Sequence, residues 1–290
     1  MKKILITGGN GFLGSNLVNK LSGKKYFLYL LVRKNSNLFR LNKNKKITFL
    51  YLDDLKLDNF FKKNSFDLII HCATNYGLDK TELSEIIYPN LLLPLKLLDM
   101  AKKYNVKRFI NTDTILNKII SGYSLSKYQF VDWLKIFSNT LYCCNVKIEH
   151  FYGPKDNLTK FVISIIVKFL NHEKEIDFTK GTQKRDFVYI SDVVNALERI
   201  VRHSLKKEKG YQTFEIGSGK AISVKYLVRL IAKLTNNQIT KLNFGKLSFR
   251  KNEPMNVKVD LRNIKKLGWR NNVKLADGLK KTIKFYKQVS

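Results

Sequence analysis

Along the first half of the chain, short uninterrupted apolar runs alternate with stretches whose apolar residues recur every three or four positions. Residues 4–7, 27–32, 47–51, 67–72 and 107–111, rich in Ile, Leu and Phe, read as strands. Residues 12–22, 55–63 and 83–104 read as helices between them. A parallel strand can be rejoined only through a long crossover, which a helix supplies, so this rhythm predicts βαβ units. Unbroken apolar strands also suit a sheet covered on both faces. The predicted class is α/β, a doubly wound parallel sheet. Pro89 and Pro94 interrupt the longest helical stretch, so a break is expected near 88–90 before the helix resumes.

Beyond residue 150 the rhythm loosens. Residues 158–171, 191–203, 222–234 and 275–286 are the helical candidates, the second opening with Ser191-Asp192 as a cap. No internal repeat or low-complexity linker stands out. Two domains are expected, 1–150 and a smaller α/β domain over 151–290, with part of 186–216 able to return to the first.

Composition narrows the class. Of 290 residues 44% are hydrophobic and 12% aromatic, enough for a sizeable core and incompatible with wholesale disorder. Cys72, Cys143 and Cys144 are too few and too badly spaced for a disulfide framework or a four-ligand zinc site. The four histidines lack metal-ligand spacing, so no metal is expected. The N-terminus, with three apolar residues before its glycines, is not a signal peptide. Neither 91–98 nor 161–170 can span a bilayer, which needs ~20 residues. A cytoplasmic protein with no membrane partner is expected.

The charge points elsewhere at first. Against 23 acids stand 54 Lys plus Arg, a net +31. Clustered cations bind phosphates, and 33–46 holds six basic residues and no acid in what reads as a loop. Only ten of the 54 are Arg, however, the residue preferred for bidentate phosphate contacts. Asn is abundant at 27 and Ala scarce at 6, so Lys enrichment accompanies a general compositional drift. A solvated basic surface is favoured, and nucleic acid is not an expected partner.

The strand at 4–7 runs into Gly8-Gly9-Asn10-Gly11-Phe12-Leu13-Gly14 and then a helix. Gly8, Gly11 and Gly14 sit where a strand must turn tightly and let a pyrophosphate approach the backbone. The N–H groups of Phe12 and Leu13 and the positive end of the helix then face that anion. This is the dinucleotide-binding loop of a Rossmann-type fold. The second strand ends in Arg33-Lys34, where an acid would select NAD; a cation there accommodates a 2′-phosphate. NADP(H) is favoured and NAD(H) remains possible, since both cations also belong to the basic loop. Asp54 and Leu55 are expected beside the adenine, and Ala73 and Thr74 along the nicotinamide side.

Tyr123 and Lys127 stand four residues apart, neighbours on one helix face. A free phenol has a pKa of about 10; an adjacent ammonium favours its ionised form and brings it towards a useful range. The pair opens the helix after the fifth strand, whose end supplies Thr112 and Thr114 to hold a substrate oxygen.

Taken with Gly8, Gly11, Gly14 and Ile70-His71-Cys72-Ala73, these residues resemble the extended short-chain dehydrogenase/reductases acting on nucleotide sugars. Arg185-Asp186-Phe187-Val188-Tyr189-Ile190-Ser191-Asp192-Val193 and Leu267-Gly268-Trp269 extend the resemblance over almost the whole chain. It implies catalytic roles for Thr114, Tyr123 and Lys127. It also implies diphosphate contacts from Arg185 and Arg250, with Glu253 on the ribose.

Departures from the family pattern narrow the reaction. Its 4,6-dehydratases follow the catalytic Thr with Asp-Glu, whereas Thr114 precedes Ile115-Leu116, which cannot transfer protons. The short spacing to Tyr123, with Glu149-His150-Phe151-Tyr152-Gly153-Pro154, resembles CDP-abequose and CDP-paratose synthases and related dTDP-sugar 4-ketoreductases. The resemblance implies NAD(P)H-dependent reduction of the C4 ketone of a nucleotide-diphosphate deoxysugar, in surface-polysaccharide synthesis, by a homodimer. A 4-epimerase retaining NAD is the alternative reading, and a non-catalytic protein binding polyanions is a further one.

Overall fold

The computed structural model describes residues 1–42, 44–52, 56–77 and 81–289. Its first strand and helix, β1 (Lys2–Thr7) and α1 (Phe12–Ser22), are joined by the glycine run. After them come β2 (Tyr26–Val32), β3 (Ile47–Tyr51), α2 (Leu57–Lys63) and β4 (Leu68–His71). Next are α3 (Leu83–Ile87), α4 (Leu93–Lys103), β5 (Arg108–Thr114), α5 (Gly122–Phe137) and β6 (Tyr142–Ile148). The later part adds β7 (His150–Tyr152), α6 (Phe161–Leu170), β8 (Glu175–Phe178), β9 (Lys184–Tyr189), α7 (Ile190–Ser204) and β10 (Gly210–Ile216). It ends with β11 (Ala221–Ser223), α8 (Val224–Leu234), β12 (Lys241–Phe244), α9 (Arg262–Lys266) and α10 (Leu275–Val289).

The chain forms two compact units. One comprises Met1–Ile148, Val194–Glu215 and Asn263–Trp269; the other takes Glu149–Val193, Ile216–Arg262 and the residues from Arg270 onward. The first is built on a seven-stranded sheet in the order β10-β6-β5-β4-β1-β2-β3. From β3 through to β6 every neighbouring pair is parallel. Strand order reverses beside β1, which pairs with β2 on one side and β4 on the other. Sheets with this order hold their ligands outside the carboxyl ends of the strands at the point of reversal, here those of β1 and β4.

Apolar burial holds the sheet. Ile4, Leu5 and Ile6 on β1 and Ile69 and Ile70 on β4 are almost wholly inaccessible to solvent. Phe109 on β5 packs against Phe130 of α5, ring centroids 5.8 Å apart, in a cluster with Leu97, Leu98 and Leu134. Each such side chain contributes about 2 kcal/mol of burial. In the second unit β7 pairs in parallel with β9, which pairs antiparallel with β11, while β8 and β12 form a separate parallel pair. No helix among the described residues is long and apolar enough to cross a membrane.

Several local expectations are corrected. The break near 88–90 is a π-helical turn, Tyr88–Leu92, through which the helical rod continues into α4. Pro89 has no N–H to donate, and the wider turn removes the need for one. Ser191 and Asp192 do not cap α7, which starts at Ile190; the Asp192 carboxylate instead accepts the N–H groups of Asn272 and Val273 at 3.0 and 2.8 Å. Ile222 lies in β11, and α8 starts two residues later behind Ser223, whose hydroxyl accepts the Tyr226 N–H at 3.1 Å. Residues 158–160 precede α6 rather than opening it. The fifth strand runs three residues past 111, so Thr112, Asp113 and Thr114 belong to the sheet.

Candidate active site

At the carboxyl end of β1 the chain turns through Gly8, whose φ of +65° is the left-handed region that a side chain disfavours. A Cβ on Gly8 would lie 2.5 Å from the Ala73 nitrogen, so the ends of β1 and β4 meet there without room for a methyl group. A Cβ on Gly14 would fall 2.1 Å from the Gly8 carbonyl oxygen. The first turn of α1 has neither a side-chain cap nor an acidic residue. Its N–H groups and positive dipole end, at Phe12 and Leu13, fit the pyrophosphate of a dinucleotide. Arg33 follows β2 immediately and is exposed; its backbone N–H donates to Ser36 Oγ at 3.1 Å. Asp54 and Leu55 lie outside the described residues.

Thr114 ends β5, and Ser121 starts α5 with a reciprocal cap. Ser121 Oγ accepts the Ser124 N–H at 3.2 Å, and Ser124 Oγ accepts the Ser121 N–H at 3.1 Å. That box fixes where the helix begins and so aims Tyr123 and Lys127, one turn apart, at the end of the sheet. Lys127 is 2% exposed and its ammonium donates to the Thr112 carbonyl at 2.8 Å. Burial lowers the pKa of Lys127, while Asp113 and Cys72 raise it.

Tyr123 behaves differently from the expectation that its helix neighbour would draw the phenol down. Burial pushes the phenol well above its ordinary value, Tyr76 and Asp113 push the same way, and a hydrogen bond with Thr114 opposes them. Burying a phenolate is costly, and the Lys127 ammonium is turned to the Thr112 carbonyl. Beneath the pair, His71 is fully buried, its Nδ1 2.7 Å from Thr7 Oγ1. Burial and then Lys127 hold its imidazole well below the usual range, so it is neutral. Burial likewise pushes the Cys72 thiol up to about 12.

Three contributors to this region carried no motif. Asn90, in the π-helical turn, is fully buried. Its Oδ1 accepts Thr74 Oγ1 at 2.8 Å and the Asn75 N–H at 3.0 Å, and its Nδ2 donates to the Asn75 carbonyl at 2.8 Å. The strand-end loop holding Ala73 and Thr74 is thereby pinned. Tyr76, farther along that loop, packs on Tyr123 with ring centroids 5.0 Å apart. Asp113 accepts the Thr114 N–H at 2.8 Å. Its neighbour Pro89 could have flagged Asn90, and Ser121-x-x-Ser124 has the spacing of a capping box. Tyr76 left no signal.

In the second unit, Arg185 on β9 is 6% exposed. Its guanidinium forms an ion pair with Glu253 and donates to the carbonyls of Pro254 at 2.6 Å and Lys184 at 2.7 Å. Arg185 and Glu253 are therefore together, and bound to each other. Arg250 is exposed, and its carbonyl accepts the Glu253 N–H at 3.1 Å.

Comparison with known proteins places this geometry. The model of the NAD dependent epimerase/dehydratase family matches residues 4–217. The chain belongs to that family. CDP-abequose synthase of Salmonella muenchen is 32% identical to it over 291 residues, covering 97% of each chain. The UDP-glucose 4-epimerase of Thermotoga maritima, solved with UDP-glucose, superposes with a TM-score of 0.85 at 25% identity, covering 99% of each. The UDP-glucuronic acid 4-epimerase of Bacillus cereus, solved with UDP-glucuronic acid and NAD, has a TM-score of 0.86 at 22% identity, with 99% of this chain covered. This member of the epimerase/dehydratase family is accordingly an NAD(P)-dependent enzyme of oxidoreductase type with a Rossmann-type fold.

Proposed function

We propose that this enzyme uses NADPH to reduce the C4 ketone of a nucleotide-linked 4-keto-deoxyhexose, as a CDP-abequose-like synthase. The observation that carries the reading is the grouping of Thr114, Tyr123 and Lys127 with only Ile115 and Leu116 following Thr114. One proton donor and one oxygen-orienting hydroxyl suffice for ketone reduction, whereas elimination of water needs a further acid–base pair.

The backbone of Gly8, Gly11, Phe12, Leu13 and Gly14 would hold the cofactor's pyrophosphate, with Ala73 and Thr74 along its nicotinamide side. Arg33 would face the 2′-phosphate that distinguishes NADP. When bound, the cofactor supplies hydride to the carbonyl carbon. The Thr114 hydroxyl donates to the carbonyl oxygen and fixes its direction. As negative charge grows there, the Tyr123 phenol gives up its proton to it, and an alcohol results. The phenol is protonated at neutral pH, as a group that starts by donating must be. Lys127 would hold the cofactor's ribose, its ammonium anchored on the Thr112 carbonyl.

In the second unit, Arg185 and Arg250 would meet the substrate's diphosphate and Glu253 its ribose. A homodimer is the expected assembly: Tyr128, Trp133 and Ile136 on α5 are 44%, 44% and 61% exposed, an apolar face for a second copy to cover. Light scattering reporting a monomer at micromolar concentration would end that part of the reading.

The decisive assay offers CDP- and dTDP-linked 4-keto-6-deoxyhexoses, each with NADPH or NADH, and reads the C4 configuration by NMR. Stoichiometric oxidation of NADPH with formation of a C4 alcohol is expected. The second reading, a 4-epimerase, is supported by the 25% identity to the Thermotoga enzyme. Sugar conversion without added reductant, by protein that purifies with NAD bound, would replace the first reading with the second.

A further inference from the structure

Asp113 lies between the two residues that position the candidate proton donor. The carbonyl before it, on Thr112, holds the Lys127 ammonium at 2.8 Å, and the N–H after it, on Thr114, donates to Asp113 Oδ1 at 2.8 Å. Its other oxygen, Oδ2, accepts Asn145 Nδ2 at 2.8 Å, and Asn145 Oδ1 accepts Asn111 Nδ2 at 2.9 Å. Asn111 and Asn145 are register partners on β5 and β6, and neither has any exposed surface. Two buried carboxamides at the centre of the sheet cost desolvation that their hydrogen bonds offset. Their chain ends on a carboxylate, on the strand face that also carries Phe109 against α5.

We propose that Asp113 is a positioning residue, an anion fixed through Asn145 and Asn111 beneath Thr114, Tyr123 and Lys127, that keeps the pair in its proton-donating form. The proposal rests on reading Tyr123 as the donor. Its chemistry is electrostatic: a fixed negative charge opposes formation of a phenolate beside it and favours an ammonium. Both Tyr123 and Lys127 are raised by Asp113, in keeping with that geometry. Tyr211 on β10 is also raised by Asp113, and Tyr76 packs on Tyr123. Lys147, its register partner on β6, pairs with Glu215 on β10 at 3.9 Å, so that cation has an acid of its own. Among the described residues two neutral hydrogen-bond donors hold the carboxylate, and its charge acts on the phenol and the ammonium.

The test follows the phenol itself, by NMR titration of the full chain labelled with carbon-13 tyrosine. Tyr123→Phe identifies the resonance among the 14 tyrosines. In Asp113→Asn, which keeps the shape and an acceptor for the Thr114 N–H, the Tyr123 midpoint should fall by about one pH unit. The alkaline limb of NADPH-dependent turnover, where the donor loses its proton, should move down with it. Asn145→Ala leaves the charge but loosens it, and a smaller fall in the same direction is expected. Should Asp113→Asn not fold, Asp113→Ser carries the same measurement. An unchanged midpoint in the charge-removing variant overturns the proposal, even if turnover drops, because loss of packing alone lowers turnover without moving the midpoint. A shifted midpoint in an enzyme that reduces no ketone upholds Asp113's role and sinks the ketoreductase reading instead.

Discussion

The two units hold their charges in opposite ways. Around Thr114, Lys127 is gripped by a backbone carbonyl and Asp113 by an N–H and a carboxamide. Neutral partners satisfy hydrogen bonds yet leave each net charge intact, and the Asp113 charge acts on both the phenol and the ammonium. In the second unit, Arg185 is met by the carboxylate of Glu253 and by two carbonyls. A guanidinium neutralised this way has little field left over, and any anion offered to it would compete with an acid. Among the described residues, one region leaves its charges without counter-ions, the other pairs its cation with an acid.

Removing the chemical group should separate the two most sharply. Tyr123→Phe is expected to lower kcat by about 10³ or more while a fluorescence titration finds NADPH binding unchanged. Unchanged turnover would mean the first region is not the catalytic one. Arg185→Ala should act on the nucleotide sugar, raising KM by about 30- to 100-fold with kcat nearly intact, as expected for loss of a buried charged contact that also strands Glu253. A drop in kcat with KM unmoved would transfer Arg185 to the chemistry. Arg33→Ala is expected to cut the preference for NADPH over NADH by about tenfold, one exposed contact of about 1.4 kcal/mol. Equal kcat/KM losses with both cofactors would remove Arg33 from phosphate selection. The smallest effect belongs to Ser121→Ala, which removes a cap of about 1 kcal/mol and should lower Tm by about 2 °C.

The first half of the fold was legible because its strands are apolar on both faces and its helices amphipathic. Residues 12–22 and 47–51 coincide with α1 and β3. Legibility falls where polar groups are buried by partners far off in sequence. Strand β9 reads Lys-Arg-Asp-Phe-Val-Tyr, yet Arg185 and Asp186 are buried. Asp186 manages this by accepting the N–H groups of Ser218 and Gly219, both at 2.7 Å. Strand β6 likewise hides Asn145 between two cysteines and an aliphatic run. No window of neighbouring residues contains those partners. The same limit applies to the site. Tyr123 and Lys127 announced themselves by spacing on a single helix, whereas Asp113, Asn90 and Tyr76 act through contacts between elements. The upward push on the phenol was missed for a related reason, since burial is a property of the fold and not of the Tyr-x-x-x-Lys interval.

One consequence concerns the order in which the chain is made. The first unit draws on three separate stretches, the last being Asn263–Trp269, and its sheet needs β10 to complete the edge beside β6. Trp269 is buried, and Arg199 on α7 donates to the Leu267 carbonyl at 3.0 Å. A ribosome that has delivered the glycine loop, Tyr123 and Lys127 has therefore not yet delivered the residues that close the unit carrying them. A fragment cut anywhere before residue 269 lacks part of the unit that carries the glycine loop, Tyr123 and Lys127.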